Sequence, residues 1–276
     1  MPSISHLSHK PNYLLASIDG TNSFDDMMAG VYSHVRKFHD SCSIPAENKR
    51  YYHGPTLAGS EVGPITNTVV DWIVSRCKTL PQVRICIVGH SRGGAIALLT
   101  ARALASYKQK VYFTGLYDAV SRAFDIDMTE SDLPHLKGIS KREIIMLKDR
   151  YRERVYVPVD TGGVSNVLHV AHVFRTSKLS RPYFGNTGMN GNGSQITFRS
   201  KGFNATHGAL GGDYNMDFEI VTSARSIIPS LPARYLLDKY NSDLKKTSVI
   251  EATEADRWLI EQARSVGIPV TYRKKK

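Results

Sequence analysis

Apolar residues along the chain fall into short β-prone runs that alternate with stretches of helical spacing. Asn12-Tyr13-Leu14-Leu15-Ala16-Ser17-Ile18 predicts a strand that ends in the turn Asp19-Gly20-Thr21-Asn22. From Ser23 onward Phe24, Met27, Met28, Val31, Tyr32, Val35 and Phe38 recur at i, i+3, i+4 and i+7, so a sustained helix is expected, with Ser23 and Asp26 as its N-cap arrangement. A short strand around Arg50–His53 precedes a helix that begins near Pro64. That helix carries Ile65, Val69, Trp72, Ile73 and Cys77 on one face and ends by Pro81. Val83-Arg84-Ile85-Cys86-Ile87-Val88 suits a central parallel strand buried on both sides. An Ala- and Leu-rich helix from Ala95 to about Ser106 follows, then a strand over Val111–Leu116.

Further on, a strand is expected over Arg154–Val159, a helix from about Val164 to Phe174, a loop over 185–194 and a strand over Gln195–Arg199. Two late helices are expected, around Asp217–Ile228 and Glu254–Val266. Thr253 is read as the cap of the second and Gly267 as its stop. Residues 127–153 open acidic and continue rich in Lys and Arg, which reads as an insertion or cap over the sheet edge. The alternation as a whole predicts an α/β fold: a mostly parallel sheet with helices on both faces.

Composition narrows this picture. The chain has 276 residues, 41% hydrophobic and 22% charged, which fits a globular protein and excludes a disordered one. One α/β domain over 1–276 is expected, ending in a flexible basic tail at 270–276. No run approaches the roughly 20 apolar residues of a membrane span. The N-terminus lacks the layout of a secretory signal, so a cytoplasmic site of synthesis is expected. The three cysteines, Cys42, Cys77 and Cys86, have no paired spacing, which argues against a disulfide framework or a CxxC metal site. Lys plus Arg is 36 against 25 Asp plus Glu, a formal charge of +11. That excess suits an anionic membrane surface, an acidic substrate or nucleic acid. No nucleic-acid-recognition motif is present, so no specific nucleic-acid partner is expected.

The strongest chemical signal is Gly89-His90-Ser91-Arg92-Gly93, a GxSxG pattern between a β-branched strand and an Ala-rich helix. A serine on so sharp a turn crowds its neighbours, and Gly89 and Gly93 leave the backbone room. Ser91 is therefore the candidate nucleophile. A serine needs a base, and His207 is the candidate by placement, after a late strand and before Gly208-Ala209-Leu210-Gly211-Gly212. The imidazole needs a carboxylate to fix its tautomer. Asp118, directly after the strand Val111–Leu116, is the leading candidate and Asp160 its rival. The oxyanion hole should combine the Arg92 N–H with one from the Gly20-Thr21 loop. Asp19 reads as a brace for that loop; a metal role for Asp19, Asp25 and Asp26 has no ligand spacing behind it. The chemistry requires no cofactor and no metal.

Six motifs stand in register: Ile18-Asp19-Gly20-Thr21, Tyr51-Tyr52-His53-Gly54-Pro55, Gly89-His90-Ser91-Arg92-Gly93-Gly94, Gly115-Leu116-Tyr117-Asp118-Ala119-Val120, His207-Gly208-Ala209-Leu210-Gly211-Gly212 and Arg257-Trp258-Leu259-Ile260-Glu261-Gln262-Ala263. In these the chain resembles the catalytic domains of type VI secretion phospholipase effectors, an α/β-hydrolase family. The resemblance runs from about Asn12 to Pro269. It implies a three-layer α/β-hydrolase fold and a serine esterase acting on phospholipid acyl esters, with Ser91 as nucleophile, Asp118 as acid and His207 as base. His90 departs from the family, which usually carries an aromatic residue there, and so does Ala209, where an acidic residue is usual. Transfer of the acyl group to an acceptor other than water, or a basic non-catalytic binding module on the same fold, are the alternatives at this level.

Overall fold

In a computed structural model the described residues are 11–21, 23, 30–56, 61–120, 164–176, 186–189, 191, 195–214 and 231–271; of 231–245 only the backbone is described. Six parallel strands form one sheet in the order β2-β1-β3-β4-β5-β6. They are β1 (Asn12–Ile18), β2 (Lys49–Tyr52), β3 (Val83–His90), β4 (Val111–Tyr117), β5 (Val167–Arg175) and β6 (Thr197–Phe203). The helices are α1 (His34–Ser41), α2 (Val62–Cys77), α3 (Arg92–Ser106), the short α4 (His207–Gly211) and α5 (Leu231–Ser265).

Strand alternation divides the core into two layers. Leu14, Ala16 and Ile18 of β1 and Ile85 and Ile87 of β3 pack with Val69 and Ile73 of α2 and Ile96, Leu98 and Leu104 of α3. Leu15, Cys86 and Val88 face the other way, against Val35 and Phe38 of α1 and Ala255, Leu259 and Ala263 of α5. The result is a three-layer α/β-hydrolase fold. The chain runs from β1 outward to β2 and then crosses back to β3 on the other side of β1. That reversal makes the carboxyl ends of β1 and β3 the topological switch point, where open α/β sheets place their functional crevice.

Three expectations are corrected. The segment expected as a helix over 164–174 is strand β5. Val167 and Val170 pack on the α2/α3 side while Ala171 and Val173 pack on the α1/α5 side. A strand buried on both faces shows no polar alternation, and its valines at a spacing of three imitate a helix. The helix expected to run from Ser23 through Phe38 is interrupted. Gly30 has φ +81°, residues 31–33 are not helical, and Ser33 caps α1 by accepting the Arg36 N–H at 3.0 Å. The Ser23 hydroxyl accepts the Gly54 N–H at 2.9 Å, while Asp26, its expected capping partner, lies outside the described residues. Thr253 lies inside α5, where its hydroxyl donates back to the Val249 carbonyl at 2.7 Å instead of capping a new helix. Gly267, at φ +87°, stands just beyond the last turn of α5, as expected.

Val270 and Thr271 are tied to the end of α1, through a bridge to Cys42 and an N–H donated to the Ser41 carbonyl at 3.1 Å. The expected insertion at 127–153, the strand at 154–159, the helix at 217–228 and residues 272–276 lie outside the described residues. Among the described residues no helix is long and apolar enough to cross a membrane.

Candidate active site

The β3–α3 turn sets the position of Ser91. Its backbone has φ 55° and ψ −128°, a sparsely populated region for a residue with a side chain. Four hydrogen bonds hold it there. The Ser91 N–H donates to Tyr117 O at 3.0 Å, and Ser91 O accepts from Gly94, Ala95 and Val120. The flanking glycines are required by contact. A Cβ on Gly89 would stand 2.3 Å from Gly93 O, and one on Gly93 would stand 2.3 Å from both Ile18 O and Asp19 O. Removing the side chain at these positions lets α3 begin beside the end of β1, with its positive end at the turn.

Asp118 follows β4 directly, with φ 41° and no solvent exposure. Its N–H pairs with Val173 O at 2.7 Å, which fixes it against β5. His207 is the first residue of α4, a helix started by Thr206, whose hydroxyl accepts the Ala209 N–H at 3.2 Å. The two side chains and Ser91 converge although 116 and 89 residues separate His207 from its partners. His207 Nδ1 lies 2.6 Å from Asp118 Oδ2, and His207 Nε2 lies 2.8 Å from Ser91 Oγ. An ionised carboxylate only accepts, so Nδ1 carries the proton and Nε2 is left to accept from the serine hydroxyl. Burial alone would raise the Asp118 carboxyl, but the Arg175 guanidinium and the His207 hydrogen bond together hold it well below the usual carboxylate range. Asp160 lies outside the described residues.

The loop after β1 comes up against the same serine. A Cβ on Gly20 would lie 2.5 Å from His90 Nδ1 and 3.3 Å from Ser91 Cβ, so glycine allows the loop to close on the turn. Asp19 is buried and holds this loop from three sides. Its Oδ2 accepts from the Ser33 and Tyr51 hydroxyls, and its Oδ1 accepts the Gly20 N–H at 2.8 Å. Burial raises the Asp19 carboxyl despite these donors. The Gly20 amide is therefore committed to Asp19. Of the amides expected at an oxyanion hole, those of Thr21 and of Arg92, the first residue of α3, carry no such commitment to Asp19. The Arg92 side chain reaches Thr56 O at 3.3 Å. No group of His, Cys, Asp and Glu suited to a metal ion occurs among the described residues, and Asp19 is engaged by hydroxyl and amide donors instead.

Two residues next to this site had no role assigned from the sequence. His90 packs between Gly20 and Gly211, and its ring centroid lies 4.9 Å from that of His207. Its Nε2 donates to the His207 carbonyl at 3.2 Å, and burial lowers its pKa to about 3, so it is neutral. Arg175, at the end of β5, donates from Nη1 to Asp118 Oδ2 at 2.5 Å and from its backbone N–H to Oδ1 at 3.1 Å. The signal for it was the β-branched density of 167–173, which as a strand sets Arg175 two residues beyond Val173, the register partner of Tyr117.

The family described as lipase (class 3) matches residues 15–119, a span that holds Ser91 and Asp118 but not His207. No curated protein matches the chain. Solved structures similar to it are distant. The peroxisomal alpha-beta-hydrolase Lpx1 of Saccharomyces cerevisiae is 11% identical, with 86% of each chain covered and a TM-score of 0.39. An alpha/beta hydrolase superfamily protein of Enterococcus faecalis is 9% identical, covering 87% of this chain and 92% of the other at a TM-score of 0.35. The RedJ thioesterase of the prodiginine biosynthetic pathway in Streptomyces coelicolor is 12% identical, covering 79% and 87% at a TM-score of 0.37.

Proposed function

We propose that the chain is a serine-dependent carboxylic ester hydrolase, lipase-like, that cleaves lipid acyl esters through an acyl-enzyme. The observation that carries this reading is the unbroken contact from Ser91 Oγ to His207 Nε2 and from His207 Nδ1 to Asp118 Oδ2, at 2.8 and 2.6 Å. The class 3 lipase match over residues 15–119 supports a lipase-like hydrolase. The resemblance to phospholipase effectors narrows the substrate to phospholipids, and the +11 charge suits peripheral contact with an anionic bilayer.

Ser91 Oγ attacks the ester carbonyl as His207 Nε2 takes its proton, and Asp118 stabilises the imidazolium that forms. The oxyanion is held by the N–H groups of Arg92 and Thr21, near the positive end of α3, with Gly20 supplying the clearance. Collapse breaks the C–O bond, and the proton on His207 passes to the leaving alcohol. Water, deprotonated by His207, then attacks the acyl-enzyme, releases the fatty acid and restores Ser91. These steps draw on no metal or redox cofactor.

Ser91→Ala is expected to lower turnover of a p-nitrophenyl ester and of phospholipid liposomes by at least about 10³-fold. A fluorophosphonate probe is expected to label the wild type at Ser91 and to leave the variant unlabelled. Full activity in Ser91→Ala, or labelling at another residue, refutes the reading.

A further inference from the structure

Asp118 is bound by more than the imidazole. Its Oδ2 accepts from His207 Nδ1 at 2.6 Å and from Arg175 Nη1 at 2.5 Å, while Oδ1 accepts the Arg175 backbone N–H at 3.1 Å. The same Nη1 also donates to Asn186 Oδ1 at 2.9 Å, a second anchor for the guanidinium. The arginine and aspartate side chains are 7% and 0% exposed, so solvent screens this pair little. Strand register makes the arrangement rigid. Tyr117 pairs with Val173, and Asp118 N–H bonds Val173 O, so the ends of β4 and β5 hold both residues by backbone.

One carboxylate oxygen thus serves two cationic or potentially cationic partners. A permanent positive charge beside the pair disfavours a second one arriving by protonation. It also steadies an ionised carboxylate that burial would otherwise push toward its neutral form. Other titratable groups face the pair. His172 approaches from β5 and His90 from β3, with His34 of α1 behind His90 and Asp256 of α5 acting on His34. Burial keeps His90 and His172 neutral, with pKa values lowered to about 3 and about 4. Among these groups, Arg175 is the one that carries a fixed charge and touches the carboxylate.

We propose that Arg175 is a positioning residue for the Ser91–His207–Asp118 site: by sharing the Asp118 carboxylate with His207 it fixes that carboxylate's orientation and keeps the Asp118–His207 pair from taking up a proton as pH falls, extending activity into the acid range. The inference rests on the hydrolase reading above. The acid limb of the pH profile is the readout of proton uptake at the site.

The test is kcat/KM for a soluble short-chain p-nitrophenyl ester across the pH range, using the full chain. Arg175→Gln is expected to move the acid limb upward by on the order of one pH unit. Arg175→Lys keeps the charge and leaves the limb near its wild-type position, with a lower plateau because the ammonium lacks the planar guanidinium that reaches both Asp118 and Asn186. Asn186→Asp keeps the arginine but sets a second carboxylate against the same Nη1, and moves the limb upward by a smaller amount. This isosteric variant decides the question if Arg175→Gln does not fold. A uniform loss at every pH with the limb unmoved, in Arg175→Gln or, failing that, in Asn186→Asp, overturns the inference. Ser91→Ala separates the two readings. If it retains turnover, the hydrolase reading fails; if it abolishes turnover while the limb stays fixed in the other variants, only the role of Arg175 fails.

Discussion

Lowering the pH from 7 to 5 should weaken the fold, and the share due to His172 can be isolated. This side chain has no solvent exposure. Its Nδ1 lies 3.1 Å from the Gly188 carbonyl, which can only accept, so Nδ1 is the donor. Its Nε2 therefore accepts the Ala119 N–H at 3.2 Å. Protonation would set one N–H against another in a site without water to relieve it. Burial accordingly lowers the His172 pKa from 6.5 to about 4. With the folded-state value below the unfolded one, the unfolded chain binds the extra proton between these limits, so stability is full above pH 6.5 and is lost as pH falls toward 4. The full loss is about 3 kcal/mol, and about 2 kcal/mol of it is reached by pH 5, with a slope a little over about 1 kcal/mol per pH unit on the way. His172→Gln removes the titration. Urea unfolding followed by circular dichroism at a series of pH values should find the variant less stable at pH 7 but flatter below it. The gap to the wild type should narrow by about 2 kcal/mol between pH 7 and 5. His34, His39 and His90, also lowered by burial, contribute to both proteins and cancel in the difference. Parallel stability curves for the two proteins would refute the argument.

Gly93→Ala would drive a Cβ to 2.3 Å from two backbone oxygens, which cannot swing aside as a side chain can. A destabilisation of about 1–3 kcal/mol is expected, together with a fall in kcat/KM as the loop after β1 separates from Ser91; a wild-type urea midpoint and wild-type activity would disprove the close approach. If the +11 charge holds the enzyme at a bilayer, hydrolysis of anionic liposomes should fall as salt rises while turnover of a soluble ester does not. Equal salt responses of the two substrates would leave the charge as a solvated surface.

Ser91, Asp118 and His207 were legible because local chemistry marks each of them: a glycine-flanked serine between strand and helix, a carboxylate at a strand's end, and a histidine opening a glycine-rich segment. Arg175 and His172 were not. Reading 164–174 as a helix removes both from the neighbourhood of Asp118, and only the pairing of β5 between β4 and β6 puts them there. The break before Ser33 was hidden for a related reason. The apolar period continues through it, while the cause of the break includes a distant carboxylate, since the Ser33 hydroxyl is drawn to Asp19.

The sequence by itself determined the layered α/β plan, five of the six described strands and the identity of the residues that converge at Ser91, because period, β-branching and turn chemistry act over a few residues. Tertiary structure decided which amide after β1 is held by Asp19, which histidines are neutral and what else binds the Asp118 carboxylate. Those properties depend on burial and on charges within a few ångströms, which sheet order and register supply and chain position does not.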